Sequence, residues 1–316
     1  MPAANTIYPA TGTVRDRWIE ELRPARTVLD AQKPYAFFYE EEYSANGQVE
    51  PVNTVFLTNR ECPWRCTMCD LWRNTLLETV PAGAIPAQID FALREMPPAP
   101  TIKLYNSGSF FDPRAIPPED YGAIAERIHK FKRVIVECHP GLVGERCLAF
   151  RDALTSKLEV AMGLETAHPE VLKKLNKKMT LDQFAAAAAF LRRNDIDLRV
   201  FILIQPPFMS PEESLYWTKQ SLNFAFDCGA SAASLIPTRG GNGAMEALAA
   251  NKEFIPPQLE TIEAAMRYGL SLKRGRVFID LWDLKTDRYH ETQLALLKKM
   301  NLEQRIYDVT PREARS

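Results

Sequence analysis

An alternation that begins near residue 52 narrows the fold more than any other feature. Short apolar runs rich in β-branched residues recur at 54–58 (TVFLT), 101–105 (TIKLY), 133–137 (RVIVE), 158–162 (LEVAM), 198–204 (LRVFILI), 232–236 and 276–280 (RVFID). Near-continuous apolar runs of this length are the mark of strands covered on both faces. Segments of helical length separate them: 86–96, 118–130, 144–154, 169–175 followed by 181–194, 211–226, 257–268 and 291–300. Thr180 with Gln183, and Ser210 with Glu213, have the spacing of capping boxes. Pro211 suits a first helical position, and Gly229 and Gly269 suit exits just past helix ends. Strands joined through helices of this length run parallel with right-handed crossovers. Six to seven such units predict an α/β fold, an open (β/α) barrel and not two separate domains. Its site would be built by the loops at the C-terminal ends of the strands.

Before the alternation, residues 1–50 have no clean period. Residues 15–22 (RDRWIEEL) read as one or two amphipathic turns, and 35–43 are aromatic and acidic. The expected organisation is an N-terminal extension (1–50) packed on the core or over a site, a barrel (51–284), and a C-terminal helical extension (285–316).

The first strand leads into Asn59-Arg60-Glu61-Cys62-Pro63-Trp64-Arg65-Cys66-Thr67-Met68-Cys69-Asp70. Cys62, Cys66 and Cys69 are spaced Cys-x3-Cys-x2-Cys, so their thiolates can converge on one centre. A structural zinc wants four closed ligands. Ferredoxin-type clusters take four cysteines. No fourth cysteine lies nearby, and a cubane held by these three would keep one iron open for a ligand that is not protein. Three ordinary loop cysteines, or a zinc site completed by a distant residue, are the plainer readings. Cys138, Cys147 and Cys228 are too widely spaced for a compact second cluster and read as small buried hydrophobes. Cys138 follows the third strand directly and His139 stands beside it, so both are candidates for catalysis.

Charge and hydropathy set limits on partners. Lys+Arg is 39 against Asp+Glu 40, which argues against a protein that grips nucleic acid alone, because phosphate contacts dominate such affinity. No apolar run approaches the roughly 20 residues that span a bilayer, and the first dozen residues lack the pattern of a signal peptide. A cytoplasmic location without a membrane partner is expected.

The cysteine loop, with the bulky Met68 before its last cysteine, resembles the signature of the radical S-adenosylmethionine (SAM) superfamily. The resemblance implies a partial (β/α)6 TIM-like barrel, a [4Fe-4S] cluster on Cys62, Cys66 and Cys69, and SAM chelated at the open iron. It implies an electron donor of flavodoxin or ferredoxin type, and reductive cleavage of SAM to a 5′-deoxyadenosyl radical that abstracts hydrogen from substrate. The cofactor carries that chemistry and the protein orients it. Asn106, Ser107, Gly108 and Ser109 stand where the family has a Gly-Gly-Glu-like segment for the SAM amino group. Glu165 matches a position that meets the SAM ribose. Lys177, in place of the usual arginine, matches one that meets the SAM carboxylate. Ile204 and Gln205 end the fifth strand, where the family contacts adenine. In the glycine-rich loop 237–243, mobile by composition, Arg239 is a candidate for an anionic group of the substrate.

A narrower resemblance rests on residues 103–113 (KLYNSGSFFDP) and the cysteine loop, and spans about 53–236. It is to the radical SAM subunit of archaeosine synthase and its relatives. This implies carbon–nitrogen scission in a lysine adduct of a 7-deazaguanine in tRNA, with a partner protein helping to hold the tRNA. Lyase and oxidoreductase types both stay open. So do a small-molecule substrate for the same chemistry and a non-catalytic zinc or iron–sulfur module.

Overall fold

The computed structural model describes residues 6–282, 284 and 291–307. Eight strands form one sheet in chain order: β1 (Ala36–Tyr43), β2 (Val49–Phe56), β3 (Thr101–Tyr105), β4 (Arg133–Cys138), β5 (Lys157–Glu165), β6 (Asp197–Ile204), β7 (Ala232–Pro237) and β8 (Arg276–Ile279). β2 to β8 are parallel and coincide with the seven expected strands. The sheet curls into an open half-barrel.

Alternation along each strand divides its side chains. Val55, Leu104, Val136, Val160, Val200 and Val277 point out and are fully buried under the helices. Burial on that scale contributes roughly 1.5–3 kcal/mol per large apolar side chain. The helical layer is α1 (Gly12–Glu21), α2 (Ala84–Glu95), α3 (Tyr121–Ile128), α4 (Glu145–Ala153), α5 (Pro169–Lys174), α6 (Leu181–Arg193), α7 (Pro211–Asp227), α8 (Ala244–Ala250), α9 (Leu259–Ser271) and α10 (Glu291–Glu303). Both expected capping boxes form, at Thr180/Gln183 and Ser210/Glu213. No helix among the described residues is long and apolar enough to cross a membrane.

Several expectations need correction. The aromatic, acidic stretch of the N-terminal extension is β1, paired antiparallel to β2 from Ala36↔Phe56 to Tyr43↔Val49. Its carboxylates hid the strand signal because Glu40 and Glu42 face inward, onto Lys103 and Arg199. Helix α8 had no sequence signal beyond alanine content. Gly269 lies inside α9, not past its end. A Cβ there would come 2.8 Å from Val277 Cγ1, so glycine lets α9 approach β8. Gly229, at φ +91°, does serve the exit from α7. Of the junction expected at 284/285, residue 285 lies outside those described.

The free edge of β8 is closed by side chains. Gln304 exchanges two hydrogen bonds with the Val277 backbone (both 2.7 Å), and Asn301 exchanges two with Ile279 (both 2.8 Å). These amides of α10 and its exit satisfy donors and acceptors that would otherwise invite another strand.

At the N-terminal ends of the strands the concave face is filled with charge. Glu159, with no exposure, accepts from Arg199 Nε (2.7 Å), Arg276 Nη2 (3.0 Å) and Arg133 Nη1 (3.0 Å). Glu42 accepts from Arg199 Nη2 (2.5 Å) and Lys103 Nζ (2.7 Å). A cavity of about 240 Å³ opens at this end, lined in part by Glu42, Glu50, Lys132 and Arg133. It lies at the opposite end of the barrel from the cysteine loop.

Candidate metal and cofactor centre

The cysteine loop leaves the C-terminal end of β2 and returns through a short 3-10 turn at Leu71–Asn74. Its backbone is tied from four directions. Thr67 N–H donates to Leu175 O (3.0 Å). Asn176 Nδ2 donates to Arg65 O (2.7 Å), and Asn242 Nδ2 donates to Thr67 O (2.7 Å) and Cys69 O (3.1 Å). Arg65 Nη1 donates to Cys62 O (2.9 Å). The Tyr8 and Thr67 hydroxyls meet at 2.5 Å, which fastens the segment before α1 to the loop. Glu61 gathers Arg23, Arg26 and Arg65 around one carboxylate. Asn176 and Asn242, both buried, are positioning residues that no local pattern identified; their partners lie more than 100 residues away in the chain.

The loop 237–243 is part of this brace, tied by hydrogen bonds that its glycine-rich composition did not announce. Besides Asn242, the carboxylate of Glu246 accepts from Gly241 N–H and Gly243 N–H. A Cβ on Gly243, at φ +87°, would fall 1.8 Å from Leu22 O, so its glycine serves close packing. Arg239 in the same loop sits with Nε 3.2 Å from Asp70 Oδ2 and Nη1 3.9 Å from Asp280 Oδ2. That places it against Asp70, the residue that follows Cys69.

The fit of the donor set to a cluster can be judged from the residues themselves. Burial pushes the thiols of Cys62, Cys66 and Cys69 up to about 12 each; Lys177 acts in the opposite sense on Cys62 and Cys66. Thiols held this way ionise on taking up metal, which supplies the missing positive charge. Among the described residues no three His, Cys, Asp or Glu side chains converge on a single ion. A cubane does not need that, because each thiolate takes a different iron. Three half-buried thiols on one braced loop, with no fourth ligand converging on them among the described residues, therefore fit a [4Fe-4S] cluster better than a closed zinc site.

Around the loop the strand ends bring the other predicted residues together. Glu165 ends β5 and pairs with Lys177 at 2.7 Å, both nearly buried. Burial opposes the Lys177 charge, but the Glu165 carboxylate outweighs it and keeps the ammonium protonated. Gly163 leaves room for the pair, since a Cβ there would lie 2.1 Å from Glu165 Oε1. Ile204 is buried at the end of β6, and Gln205 Nε2 donates to Met209 O (2.9 Å). Met68 packs against the cluster that contains Leu203 and Met209.

After β3, Ser107 Oγ meets Tyr35 Oη (2.9 Å), and Gly108 packs on Cys62, whose Cβ would be 3.2 Å from a Cβ at 108. Asn106 is fully buried with neither side-chain amide atom hydrogen-bonded. Ser107, Glu165, Asn176, Lys178 and Gln205 all take positive φ between 54° and 66°. Non-glycine residues pay conformational energy there, and such strain gathers at functional sites.

Ser109 Oγ accepts from His139 N–H (3.1 Å) and donates to Cys138 Sγ (3.3 Å). His139 stacks on Trp64 of the cysteine loop at 3.6 Å between centroids. Its Nδ1 accepts from Gly141 N–H (3.0 Å), so the ring proton sits on Nε2, facing Lys177 O (3.0 Å). Burial, then Lys177, push its pKa down to about 3. A neutral imidazole with both nitrogens engaged braces the loop and Lys177. Cys138 is buried on the outward side, against Ser109 and the His139 carbonyl. Glu137, not singled out by sequence, is the penultimate residue of β4, with Oε1 accepting from Asn106 N–H (2.5 Å) and Gly108 N–H (3.4 Å). Burial lifts it to about 7, against the pull of those N–H groups.

Comparison with known proteins gives the family. The family model of the Radical SAM superfamily matches residues 56–213, half of the chain, and the chain belongs to that superfamily. Members use a [4Fe-4S] cluster and SAM, and these are its cofactors. An uncharacterized protein of Methanocaldococcus jannaschii, MJ0550, is 26% identical over 75% of this chain and 69% of its own length. The archaeosine synthase subunit beta of Methanosarcina acetivorans is 27% identical over 70% of this chain and 68% of its own. Among solved structures, methylornithine synthase (PylB) superposes with a TM-score of 0.53 at 13% identity, covering 79% of this chain and 70% of that one, and shows the shared fold.

Proposed function

We propose that this chain is the radical SAM component of a tRNA-modifying enzyme. In this reading it cleaves a carbon–nitrogen bond in a lysine adduct of a 7-deazaguanine, as a lyase, by hydrogen abstraction from the lysine moiety. The observation that carries the reading is the braced three-cysteine loop at the C-terminal end of a half-barrel, in a chain similar to archaeosine synthase subunits beta. When bound, the cluster and SAM supply a 5′-deoxyadenosyl radical.

The chain's own residues hold and orient. Cys62, Cys66 and Cys69 hold the cluster. Lys177 is assigned to the SAM carboxylate and Glu165 to its ribose hydroxyls, the pairing between them being exchanged for ligand contacts of the same charge type. Asn106 to Ser109 frame the amino group. Ile204 and Gln205 flank the adenine beside Met68. With 39 basic against 40 acidic residues, the tRNA is expected to be held together with a partner protein, and a flavodoxin- or ferredoxin-type donor is expected to reduce the cluster.

The test is anaerobic reconstitution with iron and sulfide, reduction by dithionite, and assay of 5′-deoxyadenosine, followed by addition of tRNA bearing the lysine adduct. Loss of the lysine fragment from that tRNA supports the lyase reading. Deoxyadenosine formed without turnover of the adduct moves the substrate to a small metabolite. Uptake of zinc and no cluster would end the radical reading altogether.

A further inference from the structure

The cavity at the N-terminal ends of the strands is separate from the cysteine site. Residues near the start of each strand line it: Glu50 on β2, Thr101 on β3, Arg133 on β4, Lys157 on β5 and Arg276 on β8. The β1–β2 turn forms its lip, where Ser44 N–H donates to Gln48 O (2.7 Å) and Asn46 N–H donates to Ser44 Oγ (3.2 Å). At about 240 Å³ the cavity is smaller than the roughly 300–1,000 Å³ of pockets that take drug-sized ligands. It has room for a small metabolite and not for a nucleotide.

Most of the charge around it is already spent. Arg276 Nη2 donates to Glu159 (3.0 Å), and Lys157 Nζ donates to Asp195 O (2.7 Å). Three groups differ. Arg133 Nη1 donates to Glu159 (3.0 Å) and Asp197 (2.6 Å), but its Nε and Nη2 hydrogen-bond to nothing among the described residues. These two nitrogens form the edge of a guanidinium that takes a carboxylate through two parallel bonds. Lys132, on the cavity rim, has no partner for its Nζ among the described residues. Glu50 accepts one long bond, from Asn46 Nδ2 (3.4 Å), and meets no cation among them. Glu50 stands directly opposite Glu42 in the β1–β2 ladder, so it faces the same inner side.

An unspent cationic edge and an unspent carboxylate in one cavity set the chemistry of its ligand. A bare oxyanion would suit Arg133 and Lys132 but would face Glu50, and a bare amine would do the reverse. Like charges brought together cost affinity. A zwitterion meets both groups. β2 and β4 lie two strand spacings apart, roughly 10 Å, a gap that the Glu50 and Arg133 side chains narrow from either side. We infer that this cavity binds a small α-amino acid, its carboxylate on the Nε/Nη2 edge of Arg133 beside Lys132 and its ammonium on Glu50. The site lies at the opposite end of the barrel from the cysteine loop, and it does not depend on the reaction proposed above.

The experiment uses the full reconstituted chain with SAM present, so that a free amino acid cannot take the open iron. Calorimetry measures binding of glycine, L-alanine, L-serine and L-lysine. Propionate, ethylamine and inorganic phosphate are the probes that carry charge of one sign. At least one amino acid should bind saturably, about tenfold or more tighter than propionate or ethylamine, the size of one added charge-assisted hydrogen bond. Arg133→Lys keeps a cation beside Glu159 and Asp197 but loses the two-donor edge, and should weaken that amino acid by about tenfold. Glu50→Gln, at a position without an ion pair, should bring the amino acid down to the affinity of propionate. Cys66→Ala should bind it as wild type does. Circular dichroism of each variant checks that it is folded. Binding of no amino acid, equal or tighter binding of propionate or phosphate, unchanged affinity in folded Arg133→Lys and Glu50→Gln, or loss of binding in Cys66→Ala would overturn the site.

Discussion

The two ends of this barrel obey opposite rules. At the N-terminal end of the strands, charges are buried and paired: Glu159 holds three guanidinium groups, and Glu42 holds Arg199 and Lys103. At the C-terminal end, Asn106 is buried without a partner for its amide, and Ser107, Glu165 and Gln205 sit at positive φ. At one end the buried charges satisfy one another beside the cavity of about 240 Å³, and the other end keeps strain and unspent hydrogen-bonding capacity. A closed network has nothing left to give a ligand, whereas an open one is less stable by itself and is completed by what it binds. Changes at the lower end should therefore move stability and spare chemistry, and changes at the upper end should do the reverse.

Cys66→Ala makes the widest separation. Deoxyadenosine formation should fall to background while the thermal midpoint of the cluster-free protein moves by no more than a few degrees. Retained SAM cleavage in that variant would remove the cysteine loop from the chemistry. At the other end, Glu159→Gln removes the carboxylate that Arg199, Arg276 and Arg133 share, while Glu42 and Asp197 still pair with Arg199 and Arg133, and should cost about 1–3 kcal/mol in urea unfolding. The folded fraction should still take up iron. A loss under 1 kcal/mol would mean that the lower network is not closed as drawn.

The same carboxyl group gives a pH signature. Burial alone would raise the pKa of Glu159, but Arg199, Arg276 and Arg133 bring it down to about 2. Its unfolded value is roughly 4.3. Its contribution is thus complete above that value and lost as pH falls through 4 toward 2. Acid titration of stability in wild type and Glu159→Gln should show a shallower fall in the variant over that window.

Asn106→Leu tests the upper end more finely. Removing an unsatisfied buried amide should stabilise the fold by about 1 kcal/mol, and SAM binding should weaken several-fold in equilibrium dialysis. Stabilisation with unchanged SAM affinity would make the orphaned amide an incidental defect. The smallest change is Ser107→Gly, which relieves φ +54°. It should gain or lose no more than about 1 kcal/mol, with a modest rise in the KM for SAM as the loop loosens.

Some of this was legible in the chain and some was not. Seven parallel strands, both capping boxes and the Cys62/Cys66/Cys69 loop depend on residues close together in sequence, and periodicity and spacing report such features directly. β1 escaped because its inward carboxylates look like surface charge until Lys103 and Arg199 are seen opposite them. Gly269 was misplaced because a glycine needed for helix–strand contact has the same letter as one that ends a helix. The glycine-rich loop after β7 looked loose, yet Asn242 and Glu246 pin it.

The sequence by itself determined the class of fold and singled out the three thiols proposed to hold the cluster, because hydrophobic period and ligand spacing are local and survive without knowledge of neighbours. Only the tertiary structure decided what braces those thiols, which buried charges are paired, and that His139 is a neutral strut under Trp64. Those properties belong to pairs such as Asn176 with Arg65, Asn242 with Cys69 and Glu159 with Arg276. Nothing in either member of such a pair names the other. Their energies arise when the strands close and water leaves the space between them.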